Sequence, residues 1–214
     1  MDGLKIGVGM ITGGKRPIPQ QLYDNTAGEV FLYHDTEHKG PSYSRNQILK
    51  HFKGYDYIFI FDDDCYPDRH GYEKYFIEQA RKHDVHWMGI PNIFDNEIHH
   101  IEDEMAWWPG GLGPFQFLTR QALEVLGGYN TAYDFYGWED IAYEVRARRV
   151  GFLGKYKGSP FPLRGLAYIK SLDMYGNTTN QVYTTLEEKK MYAEKNHALF
   201  VHECQSPQLY YSFE

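Results

Sequence analysis

The stretch of sequence that decides the fold lies at residues 55–64 and reads YDYIFIFDDD. Its first part, through Phe61, is a run of aromatic and β-branched residues, which is typical of a buried strand. The run passes directly into three consecutive carboxylates, Asp62, Asp63 and Asp64. Ligands of open parallel sheets bind beyond the carboxyl ends of the strands. The junction therefore predicts a central strand and, at its end, a polar site.

Strand-like and helix-like segments alternate on both sides of this stretch. Residues 4–11, 30–33 and 87–90 are short apolar runs that predict buried strands. Residues 43–52 and 71–83 carry apolar side chains at helical spacing. This alternation predicts a Rossmann-like α/β fold, with an open, mixed and mostly parallel sheet flanked by helices.

The second half of the chain is less regular. We expect residues 99–108 to pair as a strand with residues 115–118, and Thr119 to cap a helix over residues 120–126. Residues 151–180 are predicted to be mainly loop. Two more segments show helical spacing: 139–150 and 186–198.

Length and composition set the broad class of the protein. The chain has 214 residues, with 22 Lys and Arg against 29 Asp and Glu, which gives a formal net charge of −7. This balance argues against a surface built mainly to hold nucleic acid, because phosphate contacts need clustered cations. Aromatic residues make up 17 % of the chain. They either line a cleft that holds sugars or bases, or replace aliphatic residues in the core.

Other features of the sequence bear on its compartment. Cys65 and Cys204 belong to no paired motif, which favours a reducing environment. No apolar run approaches the roughly 18 residues that a membrane-spanning helix needs, so we expect no contact with a membrane. The sequence contains no repeat or linker-like segment, and we expect one domain over residues 1–214.

The three carboxylates after the central strand require compensation if they are buried, because like charges at this spacing repel one another. A divalent ion that also bridges two phosphates of a nucleotide would supply it. The alternative is a solvated acidic turn before the next helix. If strand geometry continues, Asp62 and Asp64 lie on one side and face the ion, which leaves Asp63 for a structural role or a ribose contact.

A second cluster of charge lies at residues 136–140, which read YGWED. Glu139 and Asp140 begin a predicted helix, where the helix dipole favours carboxylates, so they could serve only as N-terminal charges. Alternatively, the ring of Trp138 could hold the face of a sugar while a carboxylate removes a proton from a hydroxyl group. Both interpretations fit the pattern.

Weaker signals accompany these two clusters. Gly110, Gly111 and Gly113 allow the backbone to approach a ligand closely. Arg45 and Asn46 could place a cation and an amide beside a nucleotide, or Arg45 could form a salt bridge at the start of its helix. The remaining candidates are two histidines for a metal shell and three rings for sugar faces: His197, His202, Trp107, Trp108 and Tyr136.

Taken in order, these parts resemble the nucleotide-sugar-dependent glycosyltransferases of the GT-A fold. The resemblance is closest to the branch with the β-1,4-galactosyltransferases and, more distantly, family 2 and the polypeptide GalNAc transferases. Residues 44–67, SRNQILKHFKGYDYIFIFDDDCYP, are similar to the Arg-Asn helix and the strand that ends in the DxD motif. Residues 110–129 are similar to the segment that positions donor sugar and acceptor, and residues 136–140 to the WG(G)ED motif.

The resemblance implies an inverting enzyme that moves a sugar from a nucleotide diphosphate sugar, with UDP the expected nucleotide, to an acceptor hydroxyl. It implies Mn²⁺ or Mg²⁺ at Asp62 and Asp64, with His202 as a third candidate ligand, and a catalytic pair of Asp140 as general base and Glu139 as its acceptor-binding neighbour. The expected donor nucleotide contacts are Thr12, Asp35, Arg45, Asp62, Asp63 and Asp64. The expected donor sugar and acceptor contacts are Gly110, Gly111, Trp138 and Glu139. The nucleotide part would span about residues 1–67 and the sugar and acceptor part about residues 87–214.

The sequence also departs from the pattern. Residues 164–171 lack the His that galactosyltransferases place after the ED motif as a metal ligand. Either a later His substitutes for it, or carboxylates, diphosphate and water hold the ion. We expect neither the membrane anchor nor the stem of Golgi members, and therefore a bacterial or viral enzyme in the cytoplasm, which is the host cytoplasm if it is viral. A nucleotidyltransferase and a non-catalytic carbohydrate- or nucleotide-binding module are the alternatives.

The acceptor is either a glycan or another hydroxyl group, a modified base in DNA among them. Five basic residues bear on the DNA alternative, since they could touch a phosphate backbone or form the solvated side of a helix and its exit loop. They are Arg146, Arg148, Arg149, Lys155 and Lys157.

Overall fold

The computed structural model describes residues 3–91, 97–172 and 185–213. In chain order the strands and helices are β1 (Ile6–Thr12), α1 (Gln21–Asp24), β2 (Glu29–His34), α2 (Pro41–His51), β3 (Tyr57–Asp62), β4 (Cys65–Pro67), α3 (Tyr72–His83), β5 (Trp87–Pro91), β6 (His100–Glu102), β7 (Met105–Trp108), β8 (Gly111–Thr119), α4 (Arg120–Leu126), α5 (Glu139–Arg149), β9 (Ser159–Pro162), α6 (Gly165–Tyr168), β10 (Ile169–Ser171) and α7 (Leu186–Gln205).

The central sheet has five strands in the order β2-β1-β3-β8-β5. β1 is parallel to both β2 and β3, whereas β8 is antiparallel to its neighbours β3 and β5. The three parallel neighbours end at one edge, at Thr12, His34 and Asp62. The predicted α/β fold with a mixed, mostly parallel sheet is confirmed.

Each face of the sheet contributes to a separate apolar cluster, because successive side chains of a strand point to opposite faces. On β3, Phe59 and Phe61 join one buried cluster, and Ile58 and Ile60 join the other. Helices and the smaller strands cover both faces, so β3 is apolar throughout. This explains the continuous apolar run in the sequence.

β1 and α2 pack unusually closely. A methyl group added at Gly9 would lie 2.2 Å from the Ile48 side chain, and one added at Gly7 would lie 2.5 Å from the ring of Phe52. Real side chains cannot approach so closely, so both positions need glycine. The close contact fixes α2, and with it Arg45, against the carboxyl edge of the sheet.

The structure differs from prediction in the second half of the chain. Residues 100–108 form a β6-β7 hairpin that turns at Asp103 and Glu104, which have φ of 44° and 73°. β7 also pairs with β9, while β8 pairs with β3 and β5. The predicted pairing of residues 99–108 with residues 115–118 is therefore wrong, because the tight turn directs the strand back onto itself.

Three elements, β9, α6 and β10, lie within residues 151–172, which were expected to be mainly loop. The rest of that prediction, residues 173–180, lies outside the described residues. The Thr119 cap is confirmed, since its Oγ1 accepts from the Ala122 backbone nitrogen at 3.2 Å. α7 extends beyond its predicted end to Gln205.

Both cysteines, Cys65 and Cys204, are free thiols. Of the helices that the structure describes, none combines the length and the apolar character that a bilayer span requires.

Candidate active site

The carboxylates at the end of β3 are held from β1 and the loop that follows it. Thr12 Oγ1 donates to Asp63 Oδ2 at 2.8 Å. Arg16 Nη1 lies 3.2 Å from Asp63 Oδ1 and 3.2 Å from Asp64 Oδ2. Because β1 and β3 are parallel neighbours, their ends bring these groups together. The two strand ends therefore form one polar cluster.

β3 ends at Asp62, and the chain turns at the two aspartates that follow. Strand alternation, from which we expected Asp62 and Asp64 to lie on one side, therefore stops at Asp62. Asp63 and Asp64 share Arg16, whereas Asp62 pairs with Arg45.

Arg45 joins the end of β3 to the start of α5. Its Nη1 lies 2.8 Å from Glu139 Oε1, and its Nη2 lies 3.2 Å from Asp62 Oδ1. Nη2 also donates to the carbonyl oxygen of Gly113 at 3.2 Å. Only 1 % of Arg45 is exposed. The structure supports the ion-pair alternative for Arg45, since protein groups occupy its guanidinium.

The carboxyl group of Asp140 lies beside Gly113. Asp140 Oδ1 accepts from the Ile141 backbone nitrogen at 2.8 Å, and a methyl group at Gly113 would lie 3.0 Å from Asp140 Oδ2. Desolvation, together with the negative charge of Glu139, raises the pKa of Asp140 to about 7, although Arg45 opposes the rise. A carboxyl group with a pKa near neutrality is suited to accept a proton.

Carboxyl groups outnumber cations in this cluster. The acids are Asp62, Asp63, Asp64, Glu139 and Asp140. Within the described ranges, two side chains form ion pairs with them, Arg16 and Arg45. Mg²⁺ and Mn²⁺ prefer carboxylate oxygens, and a divalent ion would offset the remaining negative charge. The residues present fit such an ion.

The histidines expected as further ligands lie elsewhere on α7. The ring of His197 lies 5.1 Å from that of Trp138, and His202 is exposed in the last turn of the helix. In the part of the chain that the structure describes, no three His, Cys, Asp or Glu side chains form a ready metal shell. We therefore restrict the candidate ligands to Asp62 and Asp64.

Asp35 and Asn46 shape backbone near the site. The carboxylate of Asp35 accepts from the backbone nitrogens of Lys39 and Gly40, both at 2.9 Å, which holds the turn before α2. Asn46 exchanges hydrogen bonds of 2.9 and 2.8 Å with the backbone of Tyr129. These contacts give both residues a structural role, and a nucleotide contact by either stays a prediction.

The tryptophans proposed to face a sugar have other partners. Trp107 and Trp108 are buried, so the prediction that they face a sugar is wrong. The indole of Trp138 packs on α7, where its Nε1 donates to the carbonyl oxygen of Ala193 at 2.7 Å. Its ring also stacks on Phe200 at 4.8 Å between centroids. Trp138 therefore attaches the start of α5 to α7, which is a structural role.

Two neighbouring glycines differ in what surrounds them. A methyl group at Gly111 would lie 2.7 Å from Ser159 Oγ and 3.1 Å from the Cα of Gly89. Close packing alone therefore explains Gly111. A methyl group at Gly110 would meet only Glu144 Oε2, at 3.9 Å. Packing does not explain Gly110, and a ligand contact there stays a prediction.

The basic cluster that could have contacted DNA is divided in the structure. Arg146 is buried, with its Nε 3.1 Å from Glu203 Oε1. Arg146 fits neither alternative, the phosphate contact or the solvated side of a helix, because it is buried and its charge is used inside the protein. Arg148 and Lys155 each pair with a glutamate.

Arg16 is a site residue that was not predicted from the sequence. Its signal is the basic pair Lys15-Arg16 directly after the first strand and its Thr-Gly-Gly loop. Parallel neighbouring strands end at the same edge, so basic residues after β1 meet acidic residues after β3. The order of strands in the sheet was needed to see this.

Several solved structures are similar to this chain, and the one with a TM-score of 0.53 agrees with the fold. The mannosyltransferase PcManGT from Pyrobaculum calidifontis, in complex with GDP-Man and Mn²⁺, is 16 % identical with a TM-score of 0.53, over 74 % of this chain and 55 % of that chain. TarS of S. aureus is 14 % identical with a TM-score of 0.43, over 74 % of this chain and 60 % of that chain. A protein from STIV is 18 % identical with a TM-score of 0.41, over 56 % of this chain and 68 % of that chain. The chain thus spans between about half and two thirds of these structures. No curated protein matches the chain significantly.

The model of Glycosyl transferase family 2 matches residues 15–140, more than half of the chain. The match begins in the loop that carries Arg16 and ends at Asp140, so it includes both carboxylate clusters. The protein belongs to glycosyl transferase family 2 and is a glycosyltransferase.

Proposed function

We propose that this protein transfers a sugar from a nucleotide diphosphate sugar to an acceptor hydroxyl group, with inversion at the anomeric carbon. One observation carries the proposal: Arg45 bridges Asp62 at the end of β3 and Glu139 at the start of α5. The donor-side carboxylates and the Glu139-Asp140 pair thus belong to one site. An enzyme that joins a charged donor to a hydroxyl group needs both in one place.

On the donor side, Asp62 and Asp64 would hold Mn²⁺ or Mg²⁺, which supplies positive charge for the diphosphate when bound. Arg16 and Thr12 keep the carboxylates in place through Asp63 and Asp64. A cation held by carboxylates that are fixed in this way would stabilise a departing diphosphate, because the site needs no rearrangement during the reaction.

On the acceptor side, Asp140 is the general base. Its carboxylate takes the proton of the acceptor hydroxyl as the oxygen forms its bond to the anomeric carbon. The bond from that carbon to the diphosphate breaks, and the nucleoside diphosphate leaves with the electron pair. Glu139, fixed by Arg45, is the neighbouring contact for the acceptor.

The donor and acceptor are proposed in order of support. UDP-sugars come first, because of the resemblance to the β-1,4-galactosyltransferase branch, which stays a prediction. GDP-mannose comes second, since GDP-Man is the ligand named for PcManGT. A glycan is the proposed acceptor. The burial of Arg146 weakens the case for DNA, since it removes one cation from the surface.

A thermal-shift screen of nucleotide sugars with and without Mn²⁺ tests the proposal. A donor at 100 times its Kd adds about 2.7 kcal/mol to stability, which corresponds to a rise in Tm of roughly 5–11 °C for a chain of this size. The stabilising donor is then incubated with glycans, and we expect release of a nucleoside diphosphate. NMR of the product should show an inverted anomeric configuration.

Other outcomes of this experiment contradict the proposal in different ways. Release of pyrophosphate would indicate a nucleotidyltransferase. Binding that needs no cation, with neither transfer nor hydrolysis of the donor, would indicate a binding module. Retained anomeric configuration would contradict inversion and, with it, the role of Asp140 as general base, but not the transfer of the sugar.

A further inference from the structure

The loop before α5 is held by a residue of α7, which lies outside the part of the chain that the family model matches. Asn196 Nδ2 donates to the carbonyl oxygens of Tyr136 at 3.0 Å and Gly137 at 3.4 Å. Asn196 Oδ1 accepts from the backbone nitrogen of Asp134 at 3.4 Å. Only 2 % of Asn196 is exposed. One buried amide thus contacts the backbone of three loop residues, Asp134, Tyr136 and Gly137.

Trp138 provides a second attachment of the same loop to α7. It is the last residue before α5, and its φ of 78° lies in the left-handed region, which residues other than glycine rarely adopt. Such a backbone persists only where the surroundings hold it. The hydrogen bond from Trp138 to Ala193 and the stacking on Phe200 supply those surroundings.

α7 is also attached to the last turn of α5. Glu203 Oε1 lies 3.1 Å from Arg146 Nε, and both side chains are buried. Arg146 donates at 2.8 Å to the carbonyl oxygens of Leu126 and Gly128 as well. The same helix therefore contacts the loop before α5 and the end of α5, so it fixes where α5 begins.

We propose that Asn196 is a positioning residue for sugar transfer. This inference rests on the proposed function. It touches no reacting atom. By holding the backbone of Tyr136 and Gly137, it sets the position of the first turn of α5 and so aligns Asp140 with the acceptor hydroxyl. A misplacement of about 1 Å can lower a rate about 100-fold. Asp62 ends β3, and Asp63 and Asp64 are held by Thr12 and Arg16, none of which is among the described hydrogen-bond partners of Asn196, so we expect the affinity for the donor nucleotide to change little.

Two substitutions at this position test the proposal. Asn196→Asp keeps the size of the side chain but loses the amide donor to both carbonyl groups. Asn196→Ala removes all three hydrogen bonds. The matched control on the same helix is Lys190→Ala, because Lys190 is exposed and its only described ion pair is a solvated contact with Glu194 at 4.0 Å. Each variant is compared with the wild type at the same temperature.

Three quantities are measured: kcat for transfer, the Kd of the donor nucleotide, and hydrogen exchange of residues 131–141 against the rest of the chain. For both Asn196 variants we expect kcat to fall by about 10–100-fold, with the nucleotide Kd within about twofold of wild type. Exchange should become faster in residues 131–141 and stay unchanged in β1 and β3. Lys190→Ala should match the wild type in all three.

The proposal is overturned if Asn196→Asp keeps kcat within about threefold of wild type. It is also overturned if nucleotide binding is lost in step with kcat and exchange rises across β1 and β3, because the role is then general stability. If Asn196→Ala does not fold, Trp138→Phe replaces it, since that change removes the hydrogen bond to Ala193 and part of the ring but keeps an aromatic side chain against Phe200, and it should give the same pattern in milder form. If the wild-type protein transfers no sugar, the proposed function itself is overturned. If the wild type is active and Asn196→Asp keeps the wild-type kcat, only the inference about Asn196 is overturned.

Discussion

Arg45 Nη1 lies 2.8 Å from Glu139 Oε1, and both side chains are buried. The two residues are 94 positions apart in the sequence, so their ion pair connects α2 to α5. The other terminal nitrogen of the same guanidinium reaches Asp62. Removing one partner of a buried ion pair leaves an uncompensated charge, which is far more damaging than the loss of a surface pair.

Replacement of this arginine by an apolar residue should destabilise the fold. We expect Arg45→Met to lower the free energy of unfolding by about 3–5 kcal/mol, which corresponds to a fall in Tm of roughly 6–20 °C. Thermal and denaturant unfolding measure it. The control is Arg81→Met, because Arg81 is exposed and donates to the Tyr57 hydroxyl at the surface. Equal losses in the two variants would show that the buried ion pairs of Arg45 have no special weight.

The proposed general base is tested by removing its charge. Asp140→Asn should lower kcat by about 10²–10⁴-fold, while the affinity for the donor nucleotide stays close to that of wild type. Steady-state kinetics and a nucleotide titration separate the two quantities. Glu124→Gln on the exposed side of α4 is the control for a neutralised carboxylate. Transfer at the wild-type rate by Asp140→Asn would assign the proton to another group.

The raised pKa of Asp140 predicts how activity depends on pH. A base must be deprotonated, so kcat/KM should rise with pH and reach half of its plateau near pH 7, where this group titrates. In Asp140→Asn the residual activity should lack this step. A wild-type profile that is flat from pH 5 to pH 9 would mean that Asp140 does not accept the proton. The ionisation of a different residue would then set the rate.

The raised pKa of Asp140 should make activity rise with pH, but it should make the stability of the fold fall with pH. Because the pKa of Asp140 is higher in the folded protein than in the unfolded chain, the folded state binds more protons between these values. Its contribution to stability is therefore present at low pH and is lost as pH rises through about 7. Asp140→Asn should raise Tm relative to wild type at pH 8, by about 2 °C or more, and less at pH 5. A larger gain at pH 5 than at pH 8 would reverse the sign and contradict the raised pKa.

The sequence predicts those parts of the fold and site that depend on local pattern. The run that ends at Asp62 was expected to be a strand because its residues are apolar and β-branched. The contact of Thr12 with Asp63 depends on the order of strands in the sheet, which the local pattern does not give. The Arg45–Glu139 contact could not be predicted, because residues 94 positions apart carry no local signal that they are partners. The same limit applies to the β6-β7 hairpin, whose direction depends on two residues with positive φ.

Divalent ions should be required if Asp62 and Asp64 hold one. Treatment with a chelator should reduce transfer to background, and Mn²⁺ or Mg²⁺ should restore it. Asp64→Asn should abolish the stabilisation that Mn²⁺ gives in the presence of the nucleotide, as measured by Tm. Asp68→Asn is the control, because Asp68 is exposed nearby in sequence. Full activity after chelation would remove the ion from the mechanism and leave the carboxylates with their arginine partners.

The glycines beside the site distinguish a packing constraint from a ligand contact. A methyl group at Gly113 would lie 2.7 Å from Arg45 Nη2 and 3.0 Å from Asp140 Oδ2, and Arg45 is buried with fixed partners. Gly113→Ala should therefore displace Asp140 and lower kcat by about 10–100-fold, with a lower Tm.

At Gly110 there is room for a methyl group, whose nearest neighbour would be Glu144 Oε2 at 3.9 Å. Gly110→Ala should leave Tm at the wild-type value, so any rise in KM reports a contact between this backbone and the donor sugar or the acceptor. Steady-state kinetics and thermal unfolding of the two variants, Gly110→Ala and Gly113→Ala, measure the difference. If Gly110→Ala lowers Tm as much as Gly113→Ala does, the packing argument fails, and if it changes neither Tm nor KM, Gly110 is not a ligand contact.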